Sequence, residues 1–192
     1  NDFKKLLKEV ETWAETGAGA PPRAMDLQDE ATPYDPKVFL RGNPNRPGID
    51  VPRWAPAVLG DDRKPFTNGS GRRELADALT ASSNPLTARV MANRLWMHHF
   101  GVGLVTTPGD FGLRSDPPSH PQLLDWLALE LRGATPEATP HAWSLKHLHR
   151  RILLSATYRQ SSRNTDEDTL ARSRKDDPEN RLLWRMNSRR LE

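Results

Sequence analysis

The chain of 192 residues contains no cysteine. Disulfide bonds, thiol nucleophiles, cysteine zinc sites and covalent haem attachment are therefore excluded within it. Long apolar runs are also missing, since none approaches the roughly 18 residues of a membrane span. The serines lie outside any nucleophile-elbow motif, and no paired-carboxylate pattern stands out. The DFG string at 110–112 lacks the glycine-rich loop, strand lysine and catalytic loop of protein kinases, so it predicts a tight turn.

Positive and negative side chains are almost balanced. Lysine and arginine number 28 against 25 aspartates and glutamates, which gives a formal net charge of +3. Such a small excess on a mixed surface gives only weak support for nucleic acid as the partner. Most of the basic residues are arginines, which tolerate burial and pair bidentately with carboxylates. We therefore expect several ion pairs in or near the core.

Apolar spacing divides the chain into three parts. Residues 1–16 have the pattern of an amphipathic helix that ends a preceding region. Residues 17–70 are rich in proline and glycine, which predicts an extended, irregular arm. Residues 71–192 predict a helical core with a polar linker at 161–177 and a truncated C-terminus. The predicted fold class is mainly α: an irregular helical domain of about four to five helices with an N-terminal proline-rich extended arm.

Capping residues define the clearest helix. Asn84 is suited to an N-cap, and Pro85 to the first turn that follows it. Gly101 stands where a left-handed glycine ends a helix. The sequence therefore predicts one helix over residues 85–100.

Two more helices are predicted from the same kind of signal. Ser119 and Gln122 have the spacing of a capping box ahead of a leucine-rich stretch. A third helix is expected from Ser144 through Ala156, because its apolar residues recur at helical spacing. A final, cut-off helix is expected after Asp177.

The 85–100 helix carries polar residues among its apolar ones. It is apolar on two sides, which predicts a position between other elements. The polar side chains in or beside these two faces are Arg89, Asn93, Arg94 and His98. Each needs a partner, because an unpaired buried charge costs several kcal/mol. We expect a structural network in which Arg89, Asn93, Arg94 and Asp125 hold this helix against the following loop and the next helix.

A catalytic interpretation of the same region stays open at this stage. His98 or His120 would act as acid or base, with Asp110 orienting the ring. Arg89 or Arg94 would then hold an anionic substrate group. This alternative is an enzyme with a His/Asp/Arg site between helix 85–100 and loop 101–120.

Metal binding and nucleic-acid binding have weaker support. His98 and His99 are adjacent, so on a helix they point about 100° apart and cannot chelate one ion together. His147 and His149 fail for the same reason, and no other ligand spacing is present. We therefore expect no metal site. A histidine- and arginine-bearing strip at 146–163 could contact phosphate, but a solvated face closed by surface salt bridges explains it better.

Four long strings match one known family in the same order. They are GRRELADALTASSNPLTARVMANRLWMHHFGVGLVTTPGDFG, PPSHPQLLDWLA, WSLKHLHRRILLSATYRQSS and DPENRLLWRMNSRRLE. These strings resemble the planctomycete-specific domain of unknown function 1553, and the resemblance covers about residues 20–192. The chain departs from the family pattern in a longer loop, GATPEATPHAWSLK, and in His147, where a small residue is common.

The resemblance implies a place in a larger protein. In that family the domain forms the C-terminal part of large exported proteins, often together with a cytochrome c module that carries haem. It implies an extracytoplasmic location and no cofactor within this chain, and it supplies no catalytic residues. We therefore expect a non-catalytic helical accessory module that contacts other domains of its parent protein, such as the cytochrome c module, or an extracellular polysaccharide.

Overall fold

The chain is mainly α-helical. The computed structural model describes residues 2–20, 26–57, 64–163 and 166–188. Contacts divide the chain into two units, residues 1–52 with 67–71 and residues 53–66 with 72–192. The described residues contain seven α-helices and a single two-stranded sheet, which confirms the predicted fold class. None of the helices described is both long enough and apolar enough to cross a membrane.

The first unit holds one helix and a β-hairpin. Helix α1 is Asp2–Thr16, as the sequence predicts, and it has no buried residue. Strands β1, Lys37–Phe39, and β2, Pro47–Asp50, pair antiparallel with Lys37 opposite Asp50. A 3-10 turn, Leu40–Gly42, connects them. The hairpin lies inside the segment expected to be irregular. Its two strands are short, and proline and glycine are typical of turns and not of strands, so the sequence pattern did not indicate them.

The second unit contains six helices in its described part. They are α2 Arg72–Thr80, α3 Thr87–Phe100, α4 Pro121–Arg132, α5 Leu145–Leu153, α6 Ala156–Arg159 and α7 Glu167–Asp176. The core lies where α3, α4 and α5 meet, and its fully buried side chains include Phe100, Leu127, Leu131 and Leu148. Burying a leucine of this kind contributes about 1.5–3 kcal/mol, so these three helices hold the unit together.

The predicted C-cap of α3 is present, and Asn84 binds backbone N–H groups at the start of the helix, where Leu86 stands at the N-cap position. The Asn84 Oδ1 atom accepts hydrogen bonds from the N–H groups of Leu86 at 2.9 Å and Thr87 at 3.3 Å. Gly101 has a φ of 87° and donates its N–H to the carbonyl of Met97. The helix starts two residues later than expected, at Thr87, and the side chain of Asn84 bridges the first turn.

Local hydrogen bonds alter the two other predicted helices. The capping box at Ser119 does not form, because its hydroxyl bonds the ring of His120 at 3.0 Å and Pro121 begins α4. The helix expected from Ser144 is broken, because α5 ends at Leu153 and Ser155 caps the short α6 that follows. A serine that bonds nearby backbone groups can begin a new helix inside an apolar repeat.

The polar segment at 161–177 contains a helix. Helix α7 forms at 167–176, where the sequence predicts a linker. It has no buried residues, so no apolar periodicity in the sequence indicates it. The helix expected after Asp177 is wrong over the described residues to 188. The Asp177 carboxylate accepts the N–H groups of Arg181 at 2.8 Å and Leu182 at 2.7 Å, which folds this stretch into turns.

Candidate functional site

A buried carboxylate is the centre of the candidate site. Glu130 is 0% exposed on the inner side of α4, beside the buried Leu127 and Leu131. The Thr135 hydroxyl donates to its Oε2 atom at 2.6 Å. On α5, the His147 Nε2 atom lies 2.8 Å and the Arg151 Nε atom 3.2 Å from its Oε1 atom. These residues, called here the Glu130 cluster, join α4 to α5.

The Glu130 cluster keeps its carboxylate ionised. Burial opposes ionisation, but hydrogen bonds from Thr135 and His147 and the positive charge of Arg151 outweigh it. The pKa of Glu130 is therefore held below its ordinary value of 4.5. Because an ionised carboxylate can only accept hydrogen bonds, the His147 Nε2 atom must carry a proton.

A groove lies above the Glu130 cluster. It encloses about 600 Å³, and it is called here the α4–α5 groove; its lining residues are Trp126, His141, His147, Arg150, Arg151, Leu154 and Ser155. The His141 and His147 rings stack, with centroids 4.6 Å apart and planes inclined by 20°. The guanidinium carbon of Arg151 lies 5.4 Å from the centre of the Trp126 ring. Glu130 thus holds His147 and Arg151 in place. The His141 ring stacks on His147, and the Trp126 ring packs against Arg151.

The surroundings of the groove are basic. A second recess of about 380 Å³ adjoins it, lined by His141, Ser144, Lys146, His147 and Arg150. Arg150 and Lys146 are exposed, and neither has a carboxylate partner among the residues that the structure describes. The single carboxylate of the Glu130 cluster is already shared by Thr135, His147 and Arg151. The mouth of the groove therefore presents flat rings beside positive charge, a combination that binds anionic, ring-shaped groups.

The predicted structural network is formed in part. The Arg89 Nε atom donates to the Asp125 Oδ1 atom at 2.6 Å, which ties α3 to α4. Asn93 is 0% exposed, and its amide both donates to the Val105 carbonyl at 3.0 Å and accepts the Val105 N–H at 2.9 Å. A Cβ atom on Gly103 would come within 2.8 Å of that amide, so only glycine fits there. Asn93 therefore locks the loop that follows α3.

Arg94 and His98 do not lie in the packing layer. Both are exposed, so their predicted place between two apolar faces of α3 is wrong. The buried side of α3 consists of Ala88, Ala92, Asn93, Leu95, Trp96 and Phe100. Residues at positions 94 and 98 are one turn apart on the side that faces away from this row. Of the second apolar face suggested by the sequence, Ala88 and Leu95 are buried and Met91 is exposed.

The three catalytic candidates make separate local contacts. The Asp110 carboxylate accepts the Gly112 N–H at 2.8 Å, and His120 bonds Ser119. His98 stands exposed on α3. A cavity of about 310 Å³ lies beside loop 101–120, and its walls include Asp116 and Ser119 but none of the three candidates. In the described part of the chain no three His, Asp or Glu side chains are placed to hold a metal ion.

One histidine pair was not foreseen. The His99 Nε2 and His149 Nδ1 atoms lie 2.7 Å apart, so one ring donates and the other accepts. The His99 and His149 rings form a T-shaped pair, with centroids 5.0 Å apart. This contact joins α3 to α5. Helical spacing alone could not show it, because the two residues lie on different helices.

The low pKa of Glu130 makes a pH effect testable. A group whose pKa is depressed by folding contributes stability above its unfolded value, here 4.5, and that stability is lost as the pH falls through the folded value. Urea unfolding between about pH 6 and pH 3 should therefore show a steeper loss of stability for the wild type than for Glu130→Gln. Glu137→Gln, an exposed acid on the same connection, should keep the wild-type slope. Equal slopes for wild type and Glu130→Gln would contradict the assignment.

Comparison with known proteins supports the family resemblance. Residues 71–192 match the sequence model of a family described as protein of unknown function (DUF1553), which confirms the resemblance over that range. No curated protein and no solved structure matches the chain. The matched range includes helices α2 to α7, the Glu130 cluster and the α4–α5 groove. It leaves out α1 and the β-hairpin.

Proposed function

The chain belongs to the DUF1553 family of proteins of unknown function, and we propose that its helical core is a non-catalytic interaction module that binds an anionic polysaccharide. The α4–α5 groove is the binding site. The observation that carries this proposal is the exposed Trp126 ring held against the Arg151 guanidinium, with His141, His147 and Arg150 beside it.

The chemistry of the groove suits a charged sugar. Trp126 is 38% exposed, and an exposed indole ring offers a flat apolar surface for the C–H face of a sugar ring. The arginines supply planar donors for a carboxylate or sulfate group on the same sugar. Both kinds of contact are needed for a uronate or a sulfated sugar, whereas a neutral sugar uses the first alone.

The groove is built before a ligand arrives. Glu130 accepts from Arg151 and His147, so neither side chain has to be ordered on binding. His141 is stacked on His147, and the 3-10 turn Thr139–His141 brings it there. Rings and charges that are already in place keep the entropic cost of binding low.

The proposal extends to the larger protein. The family resemblance supports a place for this module in a large exported protein, outside the cytoplasm, with a cytochrome c module as a neighbouring domain. Since the chain has no cysteine, covalently bound haem would belong to that neighbour. Fractionation of cells that express the parent protein, with an antibody against this module, tests the location.

Binding to defined polymers tests the proposed site. Calorimetric titration of residues 1–192 with oligogalacturonate or dextran sulfate should show binding that weakens as salt rises, and neutral dextran should bind far less. Trp126→Ala and Arg150→Ala should each weaken binding about tenfold, which corresponds to about 1.4 kcal/mol. Trp54→Ala serves as the control, because Trp54 is 37% exposed but does not line the groove.

Three results would count against this function. Binding of the polymers by Trp126→Ala as tightly as by the wild type would place the site elsewhere. Binding of neutral dextran as tight as that of the anionic polymers would show that the arginines do not recognise a charged group on the sugar. Tighter binding of a single-stranded oligonucleotide than of either polymer would assign the basic surface to nucleic acid instead.

A further inference from the structure

Two histidines on different helices of the second unit meet through their ring nitrogens. His99 lies in the last turn of α3, and His149 lies in the middle of α5. Adjacent histidines of one helix cannot chelate an ion together, because their side chains point about 100° apart. That exclusion does not extend to His99 and His149, whose Nε2 and Nδ1 atoms are 2.7 Å apart across two helices.

The geometry of this pair brings two nitrogen ligands to one place. The ring centroids are 5.0 Å apart, which exceeds the separation of the two nitrogens by about two ring radii. Each nitrogen therefore points towards the other ring, and one carries a proton that the other accepts. When this proton moves to the far nitrogen of its own ring, both nitrogens offer a lone pair to the space between them.

A small metal ion fits between the rings after a minor adjustment. Bonds from zinc to a histidine nitrogen are about 2.0–2.1 Å long, so a tetrahedral ion holds two such nitrogens roughly 3.3 Å apart. From 2.7 Å the nitrogens have to separate by roughly 0.6 Å, and the rings have to tilt towards the ion. Both side chains are half-buried, so the ion and the water that completes its coordination have access from solvent.

The ligand atoms select the class of metal. Imidazole nitrogen suits copper, zinc and nickel, whereas magnesium and calcium bind carboxylate, carbonyl and water oxygens. Among the residues that the structure describes, no aspartate or glutamate completes the pair to a group of three metal ligands. The pair therefore favours a transition metal that binds nitrogen.

Packing holds both rings on rigid elements. Phe100, next to His99, and Leu148, next to His149, are both buried in the core. The Tyr158 ring is nearly perpendicular to the His99 ring, with centroids 5.8 Å apart. Ligands that are fixed by packing before the ion arrives lose little entropy on binding.

We propose that His99 and His149 bind one divalent transition-metal ion, Cu²⁺ or Zn²⁺, which bridges α3 and α5. The ion replaces the hydrogen bond between the rings with a stronger link between the two helices. Because it binds the folded arrangement more tightly than the unfolded chain, it stabilises the fold by mass action. Neither histidine lines the α4–α5 groove, so this site does not depend on the function proposed for the groove.

Metal titration of the whole chain tests the site. Calorimetry at about pH 7.5 should show one tight site for Cu²⁺ and a weaker one for Zn²⁺ at the same place, with no binding of Mg²⁺. His99→Gln and His149→Gln should each lower the affinity at least tenfold, because each removes one of the two ligands. His98→Gln and His141→Gln should bind like the wild type. Both controls change exposed histidines, one beside the site and one in the stacked pair, whose nearly parallel rings do not aim their nitrogens at one point.

Two further measurements separate a metal site from a hydrogen bond. The electron paramagnetic resonance spectrum of the chain with one equivalent of Cu²⁺ should show two coordinated nitrogens, and His149→Gln should lose this pattern. Excess Zn²⁺ should raise the thermal midpoint of the wild type and leave that of His149→Gln unchanged. A pair that only shares a hydrogen bond would lose stability in His149→Gln but show no response to either metal, which overturns the proposal.

The titration itself has two other outcomes that overturn the assignment. An ion bound as tightly by His99→Gln and His149→Gln as by the wild type lies elsewhere on the chain. A tenfold loss in His98→Gln or His141→Gln, with no loss in the other two variants, assigns the metal to the exposed histidines.

Discussion

Replacement of Glu130 by alanine is expected to lower the free energy of unfolding by about 3–5 kcal/mol. The substitution removes the carboxylate and leaves Thr135, His147 and Arg151 without the acceptor that they share. Breaking a buried pair costs this much because the remaining partners stay partly desolvated and lose their counter-charge. Urea unfolding of the chain at about pH 7 measures the change from the transition midpoint and slope.

A matched control separates burial from charge. Glu137→Ala removes an exposed acid from the connection between α4 and α5, and its effect should stay within about 0.5 kcal/mol. Glu130→Ala should also loosen the α4–α5 groove, so polymer binding should weaken in the protein that remains folded. A stability loss below about 1 kcal/mol would contradict a central role for the Glu130 cluster.

The removal of both partners adds a second measurement. If Glu130 and His147 act on each other directly, the double variant Glu130→Ala with His147→Ala should lose less than the sum of the two single changes. Coupling of about 0.5–3 kcal/mol is typical of residues in contact. Additive losses would indicate that the 2.8 Å contact between them contributes little.

Parts of the fold that depend on neighbours in sequence could be predicted. The bounds of α1 follow from its apolar spacing, and the ends of α3 follow from Asn84 and Gly101, whose capping bonds involve residues within four positions. The sequence placed Arg89 and Asp125 in one polar network without fixing which acid each arginine would pair with. The structure pairs Arg89 with Asp125.

The Glu130 cluster could not be predicted from the chain alone. A glutamate in LALELR looks like an ordinary solvent-facing residue of an amphipathic helix. It is buried because α5 packs against α4 and brings His147 and Arg151 over it, which is a tertiary effect. The one available signal was the pair at positions 147 and 151, a basic residue four positions after a histidine on one face of a helix.

The sequence misled most where polar residues dominate. Arg94 and His98 were expected inside because α3 has apolar residues on two sides, yet both are exposed. Helix α7 was missed because it buries nothing and has no apolar stripe. The spacing of apolar residues is the strongest signal of secondary structure in a sequence. It says nothing about the polar side of α3 or about a helix without buried residues such as α7.

Replacement of Asn93 by leucine is expected to cost about 2–4 kcal/mol of stability. Leucine has the same branched arrangement of heavy atoms, but its methyl groups are larger than the amide, so some overpacking adds to the loss of hydrogen bonds. It leaves the N–H and the carbonyl of Val105 unpaired, and Val105 is buried. Each unsatisfied buried group costs about 1–3 kcal/mol. A leucine side chain can neither donate nor accept a hydrogen bond, so it cannot replace either bond to Val105.

Asn93→Asp distinguishes the two hydrogen bonds. The carboxylate can still accept the Val105 N–H, but it cannot donate to the Val105 carbonyl, and it places a charge in the core. Asn93→Asp should therefore be at least as destabilising as Asn93→Leu at about pH 7 and should recover as the pH falls and the carboxyl group is protonated. The neighbouring exposed Arg94→Ala should change stability by no more than about 0.5 kcal/mol. Hydrogen exchange at the Val105 amide gives the local check: it should accelerate in Asn93→Leu relative to amides of α4, and unchanged protection there would show that Asn93 does not hold the loop.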